Sequence, residues 1–404
     1  MSDCAHLHPI FCILPPHILK HISTNGTSEQ QSWARKTISI TDTLRDQRTM
    51  FRPDMSLIEK ALAGKERAVY DANHGDTLPG AKLRGEGDPP SSDVAVNEAY
   101  DGAGATYDLY HDVYGRASVD NRDLRLDSTV HYQTSYDNAF WNGQQMVYGD
   151  GDEDLPADQR LFNRFTISID VIGHELTHGV TQYTANLTYA DQPGALNESI
   201  SDVFGSLVKQ RSLGQTAAQA DWLIGKGLLA ARVKGQALRS MKAPGTAYDD
   251  PVLGKDPQPA HMSGYQNMGG DSGGVHINSG IPNHAFYVMA VEMGGNAWEK
   301  AGKIWYVTLR DKLRASSEFQ EAANLTLQAA SELFGANSLE QQAVRKGWAE
   351  VGITVQVLPP APPPTPVPEP VPGPSPTPLP NTNPGCLMAP RATLQSIARR
   401  LFGG

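Results

Sequence analysis

Two imidazoles spaced four residues apart, in His174-Glu175-Leu176-Thr177-His178, constrain this chain more than any other feature. On a helix, residues i and i+4 share a face, so both rings converge on one point. A carboxylate joining them gives three zinc ligands and leaves a fourth position for water, the plan of a catalytic rather than a structural site. Glu198 is the candidate third ligand, and Glu175, beside the first His, can reach that water as general base. Nineteen residues, Gly179 to Asn197, separate His178 from Glu198. That gap accommodates a helix end, a loop through Asp191-Gln192-Pro193-Gly194 and the first turn of a second helix, with Asn197 near its start. Asp202 lies at i+4 from Glu198, where it can accept the other N–H of a ligating His; the alternative is a solvated helix carboxylate.

The chain has 404 residues and 39% hydrophobic content, enough for two domains around a sizeable core. A formal charge of -10 argues against nucleic acid or an anionic membrane as the main partner. No apolar run is long enough for a transmembrane segment. Met1–Lys20 has no early Lys or Arg and its short apolar stretch stops at Pro15-Pro16, so no signal peptide is read there. Cys4, Cys12 and Cys386 lie outside the expected catalytic core, which therefore does not depend on disulfides. These features favour a cytoplasmic chain, with non-classical secretion left open.

Four stretches differ in texture. Residues 1–50 carry Pro15-Pro16-His17-Ile18-Leu19 and lead into a basic run from Arg45 to Arg52, too little for an independent domain. Residues 60–190 are rich in Gly, Asp and Tyr; Asp101-Gly102 and Asn142-Gly143 read as turns, and 130–134 and 145–148 as short strands. This half is expected to be mostly β and to close on a helix at 168–183. Helical periods then dominate at 196–211, 217–232, 281–292, 297–312, 318–334 and 338–349. Residues 359–380 read as a polyproline II spacer, followed by a short basic tail. The expected units are 1–52, 53–189, 190–355, a Pro-rich linker at 356–385 and the tail at 386–404. The fold class is α+β, with a β-rich lobe, a mainly α lobe and the His-bearing helix between them.

Further motifs are Asn138-Ala139-Phe140-Trp141-Asn142-Gly143, Val147-Tyr148-Gly149-Asp150-Gly151-Asp152, Leu238-Arg239-Ser240-Met241 and Gly274-Val275-His276-Ile277-Asn278. With the zinc motif and Asn197-Glu198-Ser199-Ile200-Ser201-Asp202, residues 65–353 resemble the thermolysin-like zinc endopeptidases, the gluzincins. A metzincin would need Gly and His where Thr181 and Thr184 stand, and the related aminopeptidases use a gap one residue shorter. The resemblance implies a two-lobed fold and one catalytic Zn2+ on His174, His178 and Glu198. It implies Glu175 as general base, and Tyr189 and His276 as donors to the oxyanion, with Asp271 orienting His276. Asn138, the Ala139 backbone and Arg239 would hold an extended peptide. Leu238, Val171 and Ile224, with Phe162 and Phe165 as additions, would line a pocket for a bulky apolar side chain just after the scissile bond.

The chain also departs from thermolysin. At its double calcium site Asp170 and Asp221 remain, but Lys209, Leu223 and Lys226 occupy other ligand positions, so ion pairs are expected in place of the ions. Gln236 stands where another calcium position has a carboxylate, while Glu86 and Asp88 leave a weak surface Ca2+ site open. Pro15-Pro16-His17-Ile18-Leu19 resembles the short prosegment of protealysin-like members. By that resemblance residues 1–52 are an inhibitory propeptide, bound within its own chain and removed by self-cleavage in the Arg45–Arg52 zone. A Cys4 or Cys12 thiolate on the zinc is chemically available, but the Pro-Pro patch can dock without one. The expected protein is a monomeric neutral endopeptidase that cuts peptide or protein substrates N-terminal to bulky hydrophobic residues. The alternatives are a catalytically silent peptide-binding module and a zinc exopeptidase.

Overall fold

The computed structural model describes residues 11–50 and 64–356, with the side chains of Phe11 and residues 44–50 left aside. The Pro-rich linker, the basic tail, Cys4, Cys386 and the end of the Arg45–Arg52 zone lie outside the described residues. The first lobe is built on a six-stranded sheet. Its strands are β1 (Phe11–Cys12), β2 (Arg67–Asp71), β3 (Ala81–Gly85), β4 (Leu126–Val130), β5 (Ala139–Trp141) and β6 (Met146–Tyr148), in spatial order β1-β5-β6-β4-β2-β3. The central strands β2, β4 and β6 are parallel, and β5 folds back on β6 as a hairpin. Asn142 makes that turn: its Oδ1 accepts the N–H groups of Gln144 and Gln145 at 2.9 Å, and Gly143 takes φ 101°.

Two expectations for this lobe need correction. The strand read at 130–134 lies at Leu126–Val130 instead, because His131 takes φ 53°. Its ring is clamped between Asp93 Oδ2 at 2.7 Å and Asp150 Oδ1 at 2.9 Å. The lobe also contains a long helix, α3 (Val94–Asp108), capped by the Asp93 side chain on Ala95 N–H at 2.8 Å. Asp101-Gly102, read as a turn, lies inside it. Glycine serves packing there, since a Cβ at Gly102 would run into Ile172 and one at Gly104 into the Arg67 guanidinium. The N-terminal residues add two more helices, α1 (Pro16–Asn25) and α2 (Ser28–Met50). Ile18, Leu19 and Ile22 of α1 are buried in the same core as residues of both lobes.

Between the lobes lie α4 (Ile169–Gln182) and α5 (Asp191–Leu213). Residues Asp170 to Thr181 are all buried, as are Gly194 to Gln210, so both helices are covered on every face. α5 starts earlier than its sequence suggests. Pro193 sits in the first turn, where its missing N–H costs nothing, so Asp191–Gly194 is helix rather than loop and Asn197 lies two turns in. The two helices touch backbone to backbone: a Cβ at Gly173 would stand 3.0 Å from Gly205 Cα, and one at Gly205 3.0 Å from His174 N. Gly205→Ala is therefore expected to cost about 1–3 kcal/mol through overpacking, and to weaken metal binding by shifting His174. Denaturant unfolding with metal titration checks both, and wild-type values would refute the close-contact argument.

The second lobe carries α6 (Asp271–Asn278), α7 (Gly280–Met293), α8 (Ala301–Asp311), α9 (Phe319–Phe334) and α10 (Leu339–Glu350). The last four match the helical periods expected for them. The helix read at 217–232 does not form; two-residue strands β7 (Leu223–Ile224) and β8 (Arg239–Ser240) pair there instead. The segment is tied down from outside: Asp170 Oδ1 accepts Gly225 N–H at 3.1 Å, and Lys209 Nζ donates to the Leu223 carbonyl. Gly225 and Gly227, at φ 75° and 91°, then turn the chain where a helix would have to continue.

Candidate active site

His174 and His178 on α4 meet Glu198 on α5, and their ligand atoms lie within 4.8 Å of one another, all buried. The hydrogen bonds define the tautomers. Asp202 Oδ1 accepts a hydrogen bond from His174 Nδ1–H at 2.8 Å, and Asn197 Oδ1 accepts one from His178 Nδ1–H at 2.9 Å. The Asn197 amide is oriented by its own Nδ2, which donates to the Leu187 carbonyl at 3.3 Å. Both Nε2 atoms are thus left with lone pairs, only 3.0 Å apart and each 3.5 Å from a Glu198 oxygen. Burial, and then neighbouring His174, push the His178 pKa well below its ordinary value, so a proton between the rings is disfavoured. Glu198 Oε2 finds no hydrogen-bond partner among the described residues. Two neutral imidazoles and a carboxylate converging in a dry site are the donor set of Zn2+, and the residues fit it.

Asp202 is more than a partner of one His. Arg239 Nε and Nη2 grip its two oxygens at 2.8 and 2.7 Å, and Asn283 Nδ2 adds a bond at 2.8 Å. Burial alone would raise this carboxyl, but Arg239 and His174 outweigh it and hold it well below the usual range. Asn283 had no sequence signal. Asn197 had one, since it and Ser201 are four apart on α5 and both reach His178 Nδ1.

Glu175 is fully buried beside the ligands, with Oε2 accepting the Trp141 N–H at 3.0 Å. Burial first, and the Glu198 charge second, push its pKa well above the ordinary value. Tyr189 donates its hydroxyl to Glu198 Oε1 and lies 3.2 Å from His276 Nε2. Asp271 Oδ1 holds His276 Nδ1 at 2.6 Å, and its Oδ2 accepts the His276 backbone N–H at 3.0 Å. Four successive residues at positive φ (Asp271 54°, Ser272 49°, Gly273 91°, Gly274 82°) fold the carboxylate back onto that ring. Burial lowers the His276 pKa, but the Asp271 and Glu198 carboxylates overcome it and raise it to about 8. Val171, Ile224 and Leu238 are buried at 0–1% exposure in one core with Phe162 and Phe165.

The N-terminal residues run through this site. β1 pairs antiparallel with β5, Cys12 opposite Phe140. Beyond it Ile13 N–H donates to Ala139 O at 3.2 Å, and Leu14 N–H to Asn138 Oδ1 at 3.0 Å. The Cys12 side chain packs with Tyr132, Tyr136, Phe140 and Val147, an apolar setting that does not suit a thiolate zinc ligand. His17, at the head of α1, bonds Tyr248 Oη through Nε2 at 2.8 Å and leaves Nδ1 buried without a described partner. Asp271, His276, Arg239 and His21 also face it, and burial outweighs the pull of Asp271 to lower its pKa to about 4. Docked, His17 resists protonation below its free value of 6.5. Docking of α1 is therefore unaffected above pH 6.5 and weakens as pH falls from 6.5 toward 4, by about 3 kcal/mol in full. Protease protection of residues 11–50, followed across that window in a Glu175→Gln background, is expected to fall. A His17→Phe chain that shows the same acid response would refute the assignment.

The ion pairs expected among Asp170, Asp221, Lys209 and Lys226 are present. Lys209 Nζ lies 2.7 Å from Asp170 Oδ2 and 3.0 Å from Asp221 Oδ1, and Lys226 lies 3.2 Å from Asp221. At the surface pair, Arg67 already holds both Glu86 oxygens at 2.6 and 2.7 Å, and Asp88 Oδ2 caps Gly85 N–H at 2.6 Å.

A zinc centre on a helix pair, set between a mixed sheet lobe and a helical lobe, defines a gluzincin-type metallopeptidase. Residues 27–182 match the thermolysin metallopeptidase catalytic domain and 185–353 its alpha-helical domain. An extracellular metalloprotease of Pectobacterium carotovorum is 50% identical over 86% of this chain and 98% of its own length. Protease PrtS of a Photorhabdus strain is 47% identical over 85% and 92%. A solved precursor of protealysin, a metalloproteinase from Serratia proteamaculans, is 49% identical, with a TM-score of 0.77 over 85% of this chain and 100% of its own. The chain belongs to the thermolysin family of zinc metalloproteases, and it is a hydrolase of peptide bonds.

These relatives overturn the cytoplasmic placement. The Pectobacterium protein, and a Serratia marcescens relative 42% identical over 71% of this chain, are named as extracellular metalloproteases. Phe11 and Cys12 form strand β1, and Pro15 precedes α1, which Pro16 opens. No helix among the described residues is long and apolar enough to cross a membrane.

Proposed function

We propose that this protease is made as an inhibited precursor, acts outside the cell as a monomer, and cuts internal peptide bonds N-terminal to bulky hydrophobic residues. Residues 1–52 are its propeptide, 53–189 and 190–355 the two peptidase lobes, and 356–385 and 386–404 a linker and tail. One observation carries this reading: the N-terminal strand lies in the cleft as a peptide would, its amides and carbonyls taken up by Asn138, Ala139, Arg239 and His276. His174, His178 and Glu198 would hold Zn2+, which when bound would supply Lewis-acid polarisation of a carbonyl and a water acidic near neutral pH. Glu175 accepts the proton of the attacking water and delivers it to the departing nitrogen. His276 and Tyr189 donate to the oxygen that gains charge, while Asp271 accepts the His276 Nδ1–H and favours the doubly protonated ring, whose Nε2–H is then free to donate. Asp202 orients His174. Ile13 is buried in the core that includes Val171, Ile224 and Leu238, which supports an apolar residue after the cut bond.

Digestion of a library of peptides blocked at both ends tests this. New amino termini are expected to be led by Leu, Ile, Phe and Val, lost with chelator and restored by Zn2+. Trimming confined to unblocked ends would favour an exopeptidase, and binding without cleavage a silent module.

A further inference from the structure

The backbone register of the N-terminal strand singles out one bond. The Cys12 carbonyl accepts from His276 Nε2 at 3.0 Å, and the adjoining Ile13 N–H donates to Ala139 O at 3.2 Å and faces the Glu175 carboxylate. The Ile13 carbonyl accepts from Arg239 Nη1 at 3.1 Å, and Leu14 N–H donates to Asn138 Oδ1 at 3.0 Å. Within a single peptide group, the oxygen that gains charge on hydrolysis is held by the imidazole that Asp271 supports. The nitrogen that needs a proton stands beside the carboxylate able to bring one. A slip of one residue would present a different carbonyl to His276 and turn Ile13 to the opposite face of the strand. The segment is docked in the direction and register of a substrate.

The geometry points to Cys12–Ile13 as a self-cleavage site, hydrolysed in the precursor's own cleft before the N-terminal segment departs. This rests on the protease reading above. Water adds its oxygen to the Cys12 carbonyl carbon, the C–N bond breaks, and the proton that Glu175 takes from the water goes to the Ile13 nitrogen; no electrons change hands. The two sides of the bond are held unequally. On the acyl side, the described anchors are the two-residue pairing of β1 with β5, the packing of Cys12 with Tyr132, Tyr136, Phe140 and Val147, and the His276 contact to its carbonyl. On the amine side Leu14, Ile18, Leu19 and Ile22 are buried, and Pro15, at φ -63° and ψ 141°, leads directly into α1. The cut frees the acyl side, while Ile13 and Leu14 keep the other half of the cleft filled. Activation therefore has two stages, a nick and then a detachment of α1 and α2.

The test uses full-length precursor prepared with chelator and then given Zn2+, quenched over time, with new amino termini labelled and fragments weighed. A fragment beginning at Ile13 is expected to appear at a first-order rate unchanged by dilution, and not to appear from Zn2+-loaded Glu175→Gln. Ile13→Asp, which drives a carboxylate into an apolar pocket, is expected to abolish that terminus. In the Glu175→Gln background Ile13→Asp is also expected to lower the precursor's melting temperature, a docking effect independent of turnover. Release of the segment with Cys12–Ile13 whole, from an enzyme that then digests a blocked peptide, overturns the proposal and leaves the protease reading standing. An enzyme that never digests the blocked peptide sinks that reading instead.

Discussion

Glu175→Gln is expected to lower turnover of a blocked peptide by about 10²- to 10⁴-fold, the range typical of losing a positioned general base, and to leave the precursor whole. The substitution isolates proton transfer because little else changes. Gln keeps an oxygen for the Trp141 N–H, which Glu175 Oε2 accepts at 3.0 Å, and it is not one of the three ligand side chains. What disappears is a group whose burial, reinforced by the Glu198 charge, lifts its proton affinity well above that of an ordinary glutamate. Gln also removes a carboxylate from a fully buried position, so the melting temperature is expected to stay level or rise. Bound Zn2+, turnover and thermal unfolding of one preparation decide the matter. A variant that retains its metal and most of its turnover would remove Glu175 from the chemistry.

Lys209→Met is expected to be the most destabilising single change on the face of α5 that meets α4, at about 3–5 kcal/mol, the cost of leaving a buried charge without its partner. Asp170 is fully buried, and Lys209 is the cation on it at 2.7 Å. Burial opposes the Lys209 charge, but Asp170 and Asp221 overcome it and raise its pKa. Lys226 cannot substitute, being mostly exposed and, among the described residues, paired with Asp221 alone at 3.2 Å, the kind of contact that contributes little. Asp170 also opens α4 one turn before His174, so the loss is felt at the metal. Denaturant unfolding measures the cost. Calorimetry of the wild type with and without a calcium-selective chelator completes the comparison, since large calcium-linked stabilisation would show that the lysines are not the ions' replacements.

The sequence declared most of the metal centre and rather less of its support. His174, His178, Glu198 and Asp202 were legible because helical spacing alone puts i and i+4 on one face. The Asp271–His276 pair was accessible only through family resemblance, because four residues at positive φ replace the helical turn that spacing would suggest. Arg239 was expected on the substrate, yet it also locks Asp202, a bond between distant segments that no local pattern records. α3 was misread for the opposite reason. Gly102 and Gly104 look like turn formers, but a Cβ there would meet the Ile172 side chain and the end of Arg67, so the glycines serve close packing. The helix read at 217–232 was lost to contacts from Asp170 and Lys209, again from outside the segment. The grip on Cys12, Ile13 and Leu14 is made largely through backbone groups, which any residue offers alike.

The pairing of β1 with β5 has a consequence for solubility. In the precursor β5 is an interior strand, and loss of the N-terminal segment turns it into the outer strand of the sheet, with a row of unshared amides and carbonyls. Such a border invites any extended chain, including another copy of the same protein. Its shortness limits the risk, because β5 is three residues long and ends at the Asn142-Gly143 turn. The N-terminal segment that lies along β5 thus also shields newly made chains from sticking to one another.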